Sequence, residues 1–154
     1  METWGLMTNN LSIARTWTEF VAARPELKCG ELFLQQFKAG EITRLCDCGC
    51  NSYEIKLPHG AATTASLIPS GEHGGCVFQL EFQTEEWGKT VSFSIFVDNN
   101  GNLSGLDVDY CGNSFPMPEK PRLSGPPFHV YGTLAREVQP SSQPDAARNA
   151  AQRC

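Results

Sequence analysis

The chain has 154 residues, a length typical of one globular domain with a short tail. Hydrophobic residues make up 40% of it and charged residues 19%, which supplies a packed core and excludes wholesale disorder. No run approaches the roughly 18 apolar residues that cross a bilayer, and the first residues lack the basic start of a secretory signal. We therefore expect a cytoplasmic protein that does not contact membranes.

The N-terminal part of the sequence predicts two helices. Apolar residues recur there at spacings of three and four, which indicates an amphipathic helix over residues 11–23. Pro25 suits the first position of a second helix because its missing N–H is not needed there, and Gly40 is a typical stop. The two helices together are expected to occupy about residues 11–38.

After residue 40 the apolar period changes to two, which is the pattern of strands with one buried and one solvated face. The segments with this alternation are residues 53–57, 78–83, 91–97 and 106–110. Residues 98–102, with the sequence DNNGN, separate the last two, and asparagine and glycine tolerate the positive φ angles of a tight turn. The sequence therefore predicts an antiparallel hairpin at this position.

Helices followed by strands predict an α+β domain over residues 1–138. Two N-terminal helices are expected to pack on one face of a four- to five-stranded antiparallel sheet, formed by about residues 41–111. The proline-rich segment 112–138 is expected to contribute no more than a short edge strand. Residues 139–154 are predicted to be a disordered tail. The second face of the sheet is left in water and is where we expect a function.

The net charge of −5 is distributed unevenly along the chain. Residues 45–119 hold ten acidic and two basic side chains, net −8, whereas residues 1–44 are neutral and residues 120–154 carry +3. A concentrated negative field repels nucleic acid and anionic membranes, and it attracts basic proteins with fast, salt-sensitive association. The sequence therefore predicts a basic protein partner. The alternative is an acidic surface that only maintains solubility.

The candidate contacts with such a partner are carboxylates on outward strand faces and in turns, together with an aromatic side chain. They are Glu81, Glu85, Glu86, Trp87, Asp107 and Asp109. Trp87 and Phe96, the latter on the outward side of its strand, are candidates for exposure; the alternative for Trp87 is that it folds back over the sheet edge. Apolar anchors flanked by charged groups are typical of binding interfaces. Because no catalytic constellation is recognisable, we expect a protein that is not an enzyme and has no cofactor. An enzyme with a dispersed site stays open.

Seven cysteines, an odd number without a secretory signal, predict reduced thiols. Three of them form the stretch CDCGC at residues 46–50. If this stretch is extended, its thiols share one face, and His59, His73 or Cys76 could complete a tetrahedral zinc site. The alternative zinc ligand set is Cys46, Cys48, Cys50 and Cys76. The single intervening residue is unlike the two that structural zinc sites prefer, so small apolar residues at a strand end are the other interpretation.

One stretch carries a resemblance to known proteins. Residues 93–119 combine the hairpin around NNG with the sequence VDYCGNSFPMPE. This stretch resembles small uncharacterised bacterial α+β proteins, some of which are immunity proteins of toxin–immunity pairs. The resemblance implies a cytoplasmic immunity-type inhibitor that binds a basic toxin or nuclease. It implies no functional residue.

Overall fold

Two helices precede six strands in the chain. The structure is a computed structural model that describes residues 11–46, 50–58, 65–69, 71–114 and 122–136. The helices are α1 (Leu11–Ala22) and α2 (Gly30–Ala39). The strands are β1 (Glu41–Leu45), β2 (Tyr53–Lys56), β3 (Gly75–Gln83), β4 (Thr90–Val97), β5 (Leu103–Tyr110) and β6 (His129–Tyr131), and a 3-10 turn (Cys111–Asn113) follows β5.

The six strands form one antiparallel sheet in the order β1-β2-β5-β4-β3-β6. The prediction of an α+β fold with an antiparallel sheet is confirmed, but the sheet has six strands instead of the expected four to five. Strand β1 has no regular alternation, because its register shifts between Ile42 and Arg44. The edge strand foreseen in the proline-rich segment is β6. The predicted tail, residues 139–154, lies outside the described residues.

The first helix matches its prediction to within one residue, whereas the second begins five residues after Pro25. The chain between the helices is held elsewhere, since Leu27 bridges to Ala135 and the Lys28 N–H donates to the Leu134 carbonyl at 2.8 Å. Gly30 then starts α2 directly against α1, where a side chain would collide with the Ala22 carbonyl oxygen. The close approach of the two helices explains the glycine.

The predicted alternation along the strands is confirmed by burial. The inward residues of β2 to β5 form the core with both helices; they include Tyr53, Ile55, Phe78, Leu80, Phe82, Val91, Phe93, Ile95, Leu106, Val108 and Tyr110. Helix α1 contacts the sheet through aromatic rings, with centroids 5.1 Å apart for Trp17 and Phe93 and 5.7 Å apart for Phe20 and Phe82. Both helices therefore cover the same face, and among the described residues no helix covers the opposite face, which we call the open face.

Two buried polar side chains tie the helices to the sheet. Gln36 donates to the Ala65 carbonyl at 2.8 Å and accepts the Leu103 N–H at 2.6 Å. Thr18 and Tyr53 share a hydrogen bond of 2.7 Å between their hydroxyl oxygens. Burial raises the pKa of the Tyr53 hydroxyl, and the bond to Thr18 opposes this only in part.

The predicted hairpin between β4 and β5 is confirmed. The Asp98 N–H donates to the Asn102 carbonyl at 2.9 Å, and the Asp98 carboxylate accepts the N–H groups of Asn100 and Asn102. Gly101 has a φ of 79°, as a tight turn requires. Within the described part of the chain, neither helix combines the length and apolarity needed to cross a membrane.

Candidate binding face

The open face of the sheet places the predicted carboxylates in cross-strand rows. One row runs through His129 on β6, Glu81 on β3, Ser92 on β4 and Asp109 on β5. Paired residues of antiparallel strands point to the same side, and neighbouring strands lie about 4.8 Å apart, so the Glu81 and Asp109 backbones are separated by about 10 Å. Only the short Ser92 side chain stands between them.

The next row repeats this arrangement one step along the strands. It contains Tyr131, Gln79, Ser94 and Asp107 on the same four strands. Ser94 is buried, and Gln79 Nε2 lies 3.4 Å from its hydroxyl. Strand β4 therefore contributes only small hydroxyl side chains between the longer groups of β3 and β5.

Three of the six predicted contacts are brought together on this face. Glu81, Asp107 and Asp109 are named here the acidic strip. Within the part of the chain that the structure describes, the carboxylates of Glu81 and Asp107 make no hydrogen bond or ion pair. Two negative charges of the strip are thus balanced by no cation among these residues.

The rest of the open face has balanced charges. Strands β1 and β2 place Glu41 opposite Lys56 and Arg44 opposite Glu54. The Arg44 guanidinium and the Glu54 carboxylate lie 3.6 Å apart. The negative field that the sequence assigned to the whole sheet half is therefore concentrated on β3 and β5.

The other three predicted contacts lie in the turn between β3 and β4. Residues 85–88, named here the tryptophan turn, are closed by a hydrogen bond of 2.9 Å from the Thr84 N–H to the Lys89 carbonyl. The Thr84 hydroxyl also donates to the carbonyls of Glu86 and Lys89, at 3.0 Å each. Trp87 stands at the tip with 95% of its surface exposed. The predicted exposure of this side chain is confirmed.

The two carboxylates of the tryptophan turn already have cations beside them. Glu86 accepts hydrogen bonds from Lys89 at 3.1 Å and from the Tyr110 hydroxyl at 3.2 Å. The bond and the charge of Lys89 lower the pKa of Glu86. The Glu85 carboxylate lies 3.7 Å from the Arg122 guanidinium. The turn is therefore fastened to β5 and to the chain before β6, and it contributes less net charge than its sequence indicates.

A groove opens on the same sheet face beside the acidic strip. It has a volume of about 600 Å³. Phe96, 37% exposed, lines one side, and Arg44 and Glu54 line the other. Asp107 belongs to its lining, so the groove is continuous with the acidic strip.

Gly105 forms the floor of this groove. It pairs with Phe96 on one side and with Glu54 on the other, and a Cβ at its position would lie 2.8 Å from the Tyr53 carbonyl oxygen. A close strand approach of this kind favours glycine, because a side chain would collide with this carbonyl oxygen. We name the groove the Gly105 groove. This groove was not predicted from the sequence, although a glycine within an alternating strand was its signal.

The structure separates Cys76 from Cys46, two of the predicted zinc ligands. Cys46 follows β1 and Cys50 precedes β2, whereas Cys48 and His59 lie outside the described residues. Cys76 lies on β3, four strand spacings or about 19 Å from β1. Zinc needs each sulfur within about 2.3 Å, so this sheet does not bring Cys76 to Cys46. No group of three potential ligands forms among the described residues.

The thiol chemistry differs from the expectation in one position. Cys46, Cys50, Cys76 and Cys111 are free. Cys29 is disulfide-bonded. The expectation of reduced thiols is therefore wrong for Cys29, which lies just before α2 with a positive φ of 63°.

Comparisons of the chain with protein-family models, with curated proteins and with solved structures find no match. The resemblance to immunity proteins stays a prediction.

Proposed function

We propose that the chain is a non-enzymatic binding domain that acts as a cytoplasmic immunity-type inhibitor. Its partner is a basic protein such as a toxin or nuclease, and the open sheet face covers that protein's active site. The observation that carries the proposal is the acidic strip, in which Glu81 and Asp107 face solvent without a cation among the described residues.

The strip suits the recognition of cationic side chains. Its carboxylates stand on rigid strands on both sides of Ser92 and Ser94, so a guanidinium or ammonium group can approach them without displacing a large side chain. Active sites that bind nucleic acid are positively charged, because phosphates dominate their affinity. A surface with the opposite charge speeds the encounter with such a site and competes with its substrate.

The tryptophan turn supplies the apolar contact that charges alone lack. Trp87 is 95% exposed, yet the turn that carries it is fixed by hydrogen bonds at both ends. Tryptophan is enriched among the residues that dominate binding energy, and a fixed turn loses little entropy when it binds. In the proposed complex Trp87 enters a pocket of the partner.

Parallel affinity capture with three forms of the chain tests the proposal. The test variant combines Glu81→Gln, Asp107→Asn and Asp109→Asn, and the control variant combines Glu19→Gln, Glu31→Gln and Glu72→Gln, which are exposed carboxylates of α1, α2 and a loop. Both variants lose three negative charges. We expect wild type and control to retain the same basic protein from the native host at low salt and the test variant to lose it.

The captured protein must then be inhibited for the proposal to stand. We expect one equivalent of the wild-type chain to abolish its hydrolytic or toxic activity. Retention by all three baits, or a complex that leaves the partner fully active, would contradict the proposal.

A further inference from the structure

We propose that the Gly105 groove receives an arginine side chain of the basic partner. This inference rests on the proposed function and names the chemical group that the face recognises. It is carried by the groove itself, which is a recess with an aromatic wall and carboxylates at its margin.

The shape of the groove fits a long, narrow side chain. Gly105 lines the groove without a side chain, between Phe96 on β4 and Glu54 on β2. The methylene carbons of an arginine can lie on the Gly105 backbone and against the Phe96 ring, as long cationic side chains do on apolar surface. The volume of about 600 Å³ leaves room for the flanking partner backbone as well.

The charge of the groove favours a cation over an apolar group. Asp107 lines it and has no hydrogen-bond or ion-pair partner in the described part of the chain. Glu54 is paired with Arg44 at 3.6 Å, and both side chains are mostly exposed. Exposed pairs of this kind are weak, so an incoming cation can share or replace Arg44 as the partner of Glu54.

The aromatic wall favours arginine over lysine. A guanidinium group is planar, stacks on aromatic rings and binds a carboxylate through two N–H groups at once. The ammonium group of lysine is a more strongly hydrated point charge. Phe96 beside Asp107 therefore offers arginine two simultaneous contacts that lysine makes less well.

Chemical-shift mapping on the isotope-labelled full chain tests this inference with defined probes. The probes are the tripeptides acetyl-Gly-Arg-Gly-amide, its lysine analogue and its citrulline analogue, which keeps the shape of arginine but has no charge. We expect the arginine peptide to shift Phe96, Gly105 and Asp107 saturably. The Phe96→Leu substitution should weaken binding of the arginine peptide by about three-fold, and it should weaken binding of the lysine peptide by less.

Equal binding of the arginine and citrulline peptides would overturn the inference. So would shifts spread evenly over Glu81 and Asp109, or indifference to Phe96→Leu. Circular dichroism of the variant checks that its fold is retained, which we expect because Phe96 is one of the exposed apolar residues.

The complex with the captured partner separates the two proposals. The groove is tested by Phe96→Leu, and the acidic strip by Glu81→Gln with Asp109→Asn, which leaves the groove intact. If only the strip variant weakens the complex, the groove inference fails and the proposed function stands. If the triple variant Glu81→Gln, Asp107→Asn and Asp109→Asn binds as wild type does, the proposed function fails.

Discussion

Replacement of Trp87 by alanine should separate folding from binding. The indole is 95% exposed, so its removal takes almost no buried apolar surface from the folded chain. The hydrogen bonds that close the tryptophan turn involve Thr84, Lys89 and the Glu86 side chain, none of which the substitution changes. We therefore expect the free energy of unfolding to change by less than about 0.5 kcal/mol, as for other surface substitutions.

The effect on binding should be much larger. A tryptophan contributes about 150–250 Å² when it is buried at an interface, and at about 25 cal/mol per Å² this corresponds to about 4–6 kcal/mol before the entropic costs of association. Truncation of the residues that dominate an interface costs about 2 kcal/mol or more, and tryptophan is enriched among them. We expect Trp87→Ala to weaken the complex by about 30-fold or more, since 1.4 kcal/mol corresponds to ten-fold.

Urea denaturation and titration calorimetry on the same preparations measure the two effects. Leu11→Ala is the matched control, because this side chain is also large, apolar and exposed but lies on α1. A destabilisation by Trp87→Ala above about 1 kcal/mol would contradict the described turn. Unchanged affinity in the variant would refute the role of Trp87 as an anchor.

Three further predictions follow from the buried polar contacts and the thiols. Gln36→Leu should lower the unfolding free energy by about 1–3 kcal/mol, measured by urea denaturation, because the Leu103 N–H loses its acceptor inside the core; a neutral effect would contradict this contact. Tyr53→Phe should cost about 1 kcal/mol at neutral pH, because it removes one hydrogen bond to Thr18. Burial raises the pKa of Tyr53 in the folded state, so the contribution of this residue to the unfolding free energy is fully present below about pH 10 and is lost as the pH rises further. The Tyr53→Phe variant should therefore lose less stability than wild type between about pH 10 and 11. Parallel curves of unfolding free energy against pH would show that Tyr53 does not titrate on unfolding. Chelation by EDTA should leave the melting temperature unchanged, whereas stoichiometric zinc in the purified protein together with a lower melting temperature after chelation would favour the cysteine cluster as a metal site.

The strand interiors could be predicted because apolar and polar residues alternate along each strand according to which side is buried. Alternating residues from Phe78 to Phe82 and from Val91 to Val97 give burial on one face, and the sheet places them as expected. Strand β1 escaped prediction because an edge strand with a register shift needs no alternation. The predicted start of α2 was wrong because Leu27 forms a bridge with Ala135 instead. These residues are far apart in sequence, so no local pattern indicates the contact.

The candidate site divides in the same way. Exposure of Phe96 and Trp87 followed from strand period and turn composition, and both are exposed in the structure. The pairing of charges could not be predicted from the sequence, because the Arg122 that lies beside Glu85 belongs to a distant part of the chain. The Gly105 groove was missed for a related reason, since it depends on which strands are neighbours in the sheet.

The most direct test of the central claim is the association rate of the chain with its captured partner as a function of salt. We expect the wild-type rate to fall steeply between about 50 and 500 mM salt, because the Debye length shortens over this range. The triple variant Glu81→Gln, Asp107→Asn and Asp109→Asn should associate about ten-fold more slowly at low salt and converge with wild type at high salt. Equal rates for the two proteins, or a wild-type rate indifferent to salt, would contradict recognition through the acidic strip.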